Sequence, residues 1–244
     1  MMRRALIIGA PDDSIPGVMK DMASYRNFLL SPLGGAWTSD EIVTLTSPTK
    51  ASVQTHVDAL SDAEYSFTVF AGHGRHLVPS NATIIQIQPN IEMDSSELRQ
   101  GAEKHTLILD CCRLSSLRKL TEDRMFAKAD QRGLTLNATE CRRYFDQQIS
   151  ESAKGLVVLF SCSVDETAGE SEERGGYYSS SLILAAEEWK RGSKTDLSKE
   201  YAIFSVLKAH EAATLRVKGL SGNRQNPTVE HPRVEKFFPF AVIA

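Results

Sequence analysis

Two places in this 244-residue chain put reactive side chains directly after an apolar run. The run YSFTVFAG at 65–72 is followed by His73 and Gly74, and HTLIL at 105–109 leads into Asp110, Cys111 and Cys112. In an open α/β sheet, loops at the carboxyl ends of the strands converge on ligand sites. If these two strands are neighbours, an imidazole and a thiol emerge side by side on one sheet edge. That constellation suits a cysteine nucleophile: a thiol activated as thiolate, with an imidazole to stabilise it and later protonate a leaving amine. The glycines beside His73 let a peptide backbone approach, and the Gly74 and Cys112 amides are candidates for an oxyanion hole.

The elements that must hold these groups follow from hydrophobic patterning. Short apolar, β-branched runs recur at 3–9, 41–46, 65–72, 105–110 and 155–161, and a sixth, FFPFAVIA, closes the chain. Nearly continuous apolar runs indicate strands covered on both faces, hence a largely parallel sheet flanked by helices. GVMKDMASYRNFLLSPL places Met22, Tyr25, Phe28 and Leu29 at helical spacing, and VQTHVDAL, TECRRYFDQQI and SSLILAAEEWKRG read similarly. Each is expected to supply a crossover helix. The least patterned stretch, 113–138, is mixed in charge and long for a loop.

Composition narrows the function classes. A hydrophobic content of 41% is ample for a buried core, and a net charge of −3 gives no broad basic field for holding nucleic acid. The apolar run after Met-Met-Arg-Arg is shorter than the roughly 7 residues of a signal-peptide core. No stretch approaches the roughly 18 apolar residues of a membrane span. The four cysteines lack framework spacing, which suits free thiols and a cytoplasmic setting. Adjacent cysteines also depart from the usual zinc-ligand spacing, so no metal is expected there. The turn Gly9-Ala-Pro-Asp lacks the repeated glycines of a phosphate cradle.

Strand-Gly-His-Gly followed by strand-Asp-x-Cys resembles the caspase and metacaspase clan of cysteine peptidases, bacterial caspase-like proteins in particular. Further segments match in order: Gly17-Val-Met-Lys-Asp21 after the first strand, FSCSVDETAGE at 160–170, and GGYYSSSLILAA leading into the next helix. The resemblance implies a single caspase-like domain over 1–244, a three-layer sandwich with an about six-stranded, mostly parallel sheet flanked by helices. It places the nucleophile at Cys112, two positions after the acid. Cys111 falls at a small-residue position, and strand alternation turns it to the opposite face. His73 is then the partner imidazole. Positions where animal caspases hold a P1 aspartate carry Ile15 and Asp110, whereas acids matching Asp21 and Asp110 occur in metacaspases that cleave after basic residues. Carboxylates recognise a guanidinium bidentately, so P1 Arg is expected first and Lys second.

The match departs from the family at Arg113-Leu114, where a glycine is usual, and at Ala71, often Ser in metacaspases. The 113–138 segment occupies the place of a cleavable intersubunit linker and offers Arg118, Lys119, Arg124, Lys128 and Arg132 as self-cleavage sites. No cofactor is required for this chemistry. Calcium is the ion that the resemblance raises, with Asp94, Glu97, Asp123 and Asp130 as acids but without ligand-loop spacing. The expected partners are a protein or peptide substrate with a basic P1 residue and an activating protease or regulator, with no nucleic acid and no membrane. Bacterial stress or phage-defence signalling is the role the resemblance implies. The alternative is a catalytically inactive caspase-fold interaction protein.

Overall fold

The apolar run near the start of the chain forms strand β1, Arg3–Ala10, buried at every position except the half-buried Arg4. The computed structural model describes residues 1–115 and 134–244. After β1 come α1 (Val18–Leu30), β2 (Ile42–Thr46), α2 (Lys50–Leu60) and β3 (Tyr65–Gly72). Three short strands follow, β4 (Gly74–Leu77), β5 (Ala82–Gln88) and β6 (Ile91–Asp94), and then β7 (Lys104–Asp110). The second described stretch holds α3 (Ala138–Glu151), β8 (Gly155–Phe160), the two-residue strands β9 (Glu170–Ser171) and β10 (Gly175–Gly176), and α4 (Tyr177–Gly192). It ends with β11 (Ala202–Ser205), α5 (Val206–Ser221), β12 (Thr228–Glu230) and β13 (Pro239–Ile243).

The central sheet has six strands in the order β12-β8-β7-β3-β1-β2. All its pairings are parallel except β12 with β8. A parallel sheet must be covered on both faces, and alternation of side chains sorts its residues into two cores. Ala5, Ile7, Phe67, Val69, Ile108 and Leu159 pack with residues of α1, α3, α4 and α5. Leu6, Ile8, Phe70, Leu107, Leu109 and Phe160 pack instead with α2 and with Ile85, Ile87 and Met93 of the β4-β5-β6 sheet. The outcome is the caspase-like α/β sandwich.

The sixth strand is not the one the apolar pattern suggested. FFPFAVIA supplies β13, which pairs with β11 in a separate two-stranded sheet. Its five residues are all buried, and Phe240 stacks on Phe28 of α1 with ring centroids 4.9 Å apart. A wholly apolar run fits any fully covered slot, so composition alone cannot choose the sheet it joins. The sixth place goes to the three-residue β12, whose Glu230 is exposed.

Register fixes what the sheet edge presents. Ala71 is level with Asp110, and Gly72 with Ala10. The carboxyl ends of β1, β3 and β7 therefore finish together, with the amino ends of α1 and α4 nearby.

Candidate active site

Because β3 and β7 end in step, the residues just beyond them, His73 and Cys112, leave neighbouring strands at one level. Cys112 is half-buried, while Cys111 is buried in the core with Leu109 and Phe160. The Ala168 amide donates to Cys112 Sγ at 3.3 Å, and Sγ lies 3.8 Å from the Ala168 carbonyl. His73 Nε2 lies 2.8 Å from Asp12 Oδ2 and 3.2 Å from Ser14 Oγ. Burial pushes the Cys112 thiol pKa up, the Ala168 amide pulls the other way, and the nearby Asp110 and Glu170 raise it further. The resting thiol is thus held towards its neutral form.

Gly74 opens β4 against the cysteine segment. A Cβ there would come within 2.6 Å of Cys111 Sγ and 2.8 Å of the Cys112 carbonyl oxygen. Only a residue without a side chain admits that approach. The Arg113-Leu114 segment lacks the expected glycine, yet its backbone is anchored: the Arg113 amide donates to the Glu166 carbonyl at 3.0 Å. The Arg113 guanidinium sits 4.1 Å from the centroid of the Phe160 ring and donates to Thr83 Oγ1 and the Cys162 carbonyl.

The two predicted pocket acids converge from different elements. Asp21, in the first turn of α1, accepts the Gly176 amide with both carboxylate oxygens, at 3.0 and 2.9 Å. Asp110 Oδ2 accepts the Ser179 amide at 3.0 Å and its hydroxyl at 2.5 Å. Their relative exposures are only 2% and 6%. Burial raises both pKa values, and the charge of Asp110 raises that of Asp21 further. The Gly175-Gly176 pair is needed here: a Cβ on Gly175 would collide with Asp21, and one on Gly176 with Asp110. Gly175 also has φ of +86°, in the left-handed region that favours glycine.

Glu170 joins these acids, although sequence pattern gives it no role. It lies in β9, paired with Gly176 of β10, and accepts the Gly17 amide. Burial, opposed by that hydrogen bond and reinforced by Asp110 and Asp12, raises its pKa to about 7. Two-residue strands carry no periodicity. The available signal is its place at the end of FSCSVDETAGE, a few residues before the double glycine. Asp12 is equally silent in the sequence, lying in the irregular turn after β1.

A family model, the caspase domain of peptidase C14, matches residues 2–239. The chain belongs to the caspase-domain family. No match was found among curated proteins. Membership makes this caspase domain a cysteine peptidase by family, with protein or peptide as the substrate class. No group of three or more His, Cys, Asp or Glu side chains is placed to hold a metal ion among the described residues. Of the acids considered for calcium, Asp94 caps the short helical turn after β6, accepting the Ser96 amide at 2.8 Å. Asp123 and Asp130 lie outside the described residues, as do Arg118, Lys119, Arg124, Lys128 and Arg132. Among the described residues, no helix is long and apolar enough to cross a membrane.

Proposed function

We propose that this caspase domain is an endopeptidase that cleaves after Arg, and second after Lys, using Cys112 as nucleophile and His73 as acid and base. The Cys112 thiol gives its proton to His73, and the thiolate attacks the scissile carbonyl while the Gly74 and Cys112 amides receive the oxyanion. As the tetrahedral intermediate collapses to a thioester, His73 protonates the leaving amine. His73 then takes a proton from the water that attacks the thioester and returns it to the departing thiolate.

One observation carries the specificity. Asp21, Asp110 and Glu170 converge beside the nucleophile, and among the described residues none has a lysine or arginine ion-pair partner. Grouped, partly or fully buried carboxylates repel one another and hold their protons more tightly than free acids. A guanidinium relieves that repulsion and satisfies the carboxylates bidentately, whereas an aspartate side chain would add to it. The pocket as it stands therefore favours a basic P1 residue.

The test is hydrolysis of matched fluorogenic peptides ending in Arg, Lys, Asp or norleucine. The expected order is Arg above Lys, with Asp and norleucine near background and Cys112→Ala inactive on all. Cleavage confined to Asp peptides would overturn the pocket, and activity surviving in Cys112→Ala would overturn the nucleophile. Silence of the folded wild type on every peptide would favour the reading of an inactive interaction domain.

A further inference from the structure

A carboxylate on the turn after β1 touches the imidazole. Asp12 lies two residues beyond Ala10, which is level with Gly72, and so reaches the residue that follows Gly72. Its two oxygens are differently engaged. Oδ1 accepts both the amide and the hydroxyl of Ser14, at 2.8 and 2.6 Å, closing an Asx turn. Oδ2 is left for His73 Nε2 at 2.8 Å.

We propose that Asp12 is the positioning residue of the His73–Cys112 dyad: braced by Ser14, it fixes the imidazole as the Nε2–H tautomer and leaves Nδ1 as the nitrogen that exchanges a proton with the thiol. The assignment rests on the peptidase reading above for its catalytic consequence, although the contact itself does not. An imidazole with a free ring can present either nitrogen in either protonation state, and a fixed hydrogen bond on one nitrogen decides which is basic. The turn makes that bond preorganised, since the Ser14 amide and hydroxyl hold the carboxylate while Ser14 Oγ itself lies 3.2 Å from Nε2.

Stability is a poor alternative role for the pair. The His73 and Asp12 side chains keep 31% and 38% exposure, and ion pairs so open to water contribute little to folding. Asp12 is also well ionised: although its partial burial acts upward, the Ser14 and His73 hydrogen bonds bring its pKa to about 2. It therefore stays an acceptor across the working range of a neutral-pH enzyme.

The experiment compares wild type, Asp12→Asn and Asp12→Glu, each checked for an unchanged melting temperature. For Asp12→Asn the expected result is a kcat loss of about tenfold or more, a part of the usual acid–base contribution, with KM changed less than about twofold because Asp12 reaches the pocket acids only through its minor charge effect on Glu170. Asp12→Glu should recover part of the loss. Placed in a His73→Ala background, Asp12→Asn should cost nothing further, as expected of two residues acting as a unit. Ring 15N chemical shifts of His73 supply a readout independent of turnover: an Nε2–H tautomer in wild type, mixed tautomers in Asp12→Asn. Should the wild type prove inactive on every peptide, the peptidase reading fails while the 15N shifts still decide whether Asp12 sets the tautomer. An unchanged tautomer, an unchanged kcat, or a faster Asp12→Asn enzyme, which would mark Asp12 as a brake on His73, overturns the proposal.

Discussion

Glu170 acts on two groups at once. Its charge adds to that of Asp110 and Asp21 in the proposed P1 pocket, and the same charge disfavours the Cys112 thiolate. Glu170→Gln should therefore shift two measurements in opposite senses. KM for an Arg peptide rises, while alkylation of Cys112 by iodoacetamide at pH 7 accelerates by about threefold for each half-unit fall in the thiol pKa. The pH dependence has a definite sign. With its pKa near 7, the carboxyl gains its charge as pH rises, so KM for Arg peptides should fall between pH 6 and 8 in wild type and stay flatter in the variant. A norleucine peptide should show no such slope, and parallel slopes for both peptides would remove Glu170 from the pocket. The placement of His73 and Cys112 at neighbouring strand ends was legible because each follows a long apolar strand. That Asp21 and Asp110 would lie near one another was legible through motif order. The positions of Glu170 and Asp12 were not, because they are set where separate turns meet.

At the level of elements, the start of α4 does more than begin a helix. It brings the Gly176 amide to Asp21 and the Ser179 amide to Asp110, so the positive end of the helix faces the acids. That close approach excludes side chains at its first glycines. Gly176→Ala would drive a methyl into Asp110, and overpacking of this kind costs about 1–3 kcal/mol. A lowered urea midpoint and a loss of cleavage after Arg are expected together. Gly219, within α5, has open space where a methyl would sit, with no neighbouring heavy atom within 4 Å. Gly219→Ala should instead raise stability by about 0.5–1 kcal/mol through helix propensity, with activity unchanged. Equal urea midpoints for the two variants would show that the carboxylates are free to move away from the glycines. The sequence announced a glycine-aromatic approach to this helix. Its role in clamping two acids required the packing of α1 against α4.

Across the whole molecule, parallel pairing joins parts of the chain that are far apart in sequence. Central strands were readable as apolar runs. The β4-β5-β6 sheet, α5 and β12 were not anticipated, since shorter or half-exposed elements carry weaker patterns. The resulting topology predicts the behaviour of a cut chain. β7 precedes residues 116–133 and β8 follows them, yet the two pair over six positions from Lys104 with Gly155 to Leu109 with Phe160. The flanks are also tied down: the Leu114 carbonyl accepts the His76 amide at 2.9 Å, and the Asn137 amide donates to the Ala244 carbonyl at 3.2 Å. A cut after Arg118, Lys119, Arg124, Lys128 or Arg132, whether by trypsin or by the domain itself, breaks none of these contacts. Both fragments should then elute together from a sizing column at the uncut position and part only in denaturant, because the buried sheet outweighs the loss of one chain connection. Intact mass should show self-cleavage in wild type and its absence in Cys112→Ala. Fragments that separate under native conditions would mean that the connection through 116–133, rather than the β7–β8 pairing, holds the two halves of the sheet together.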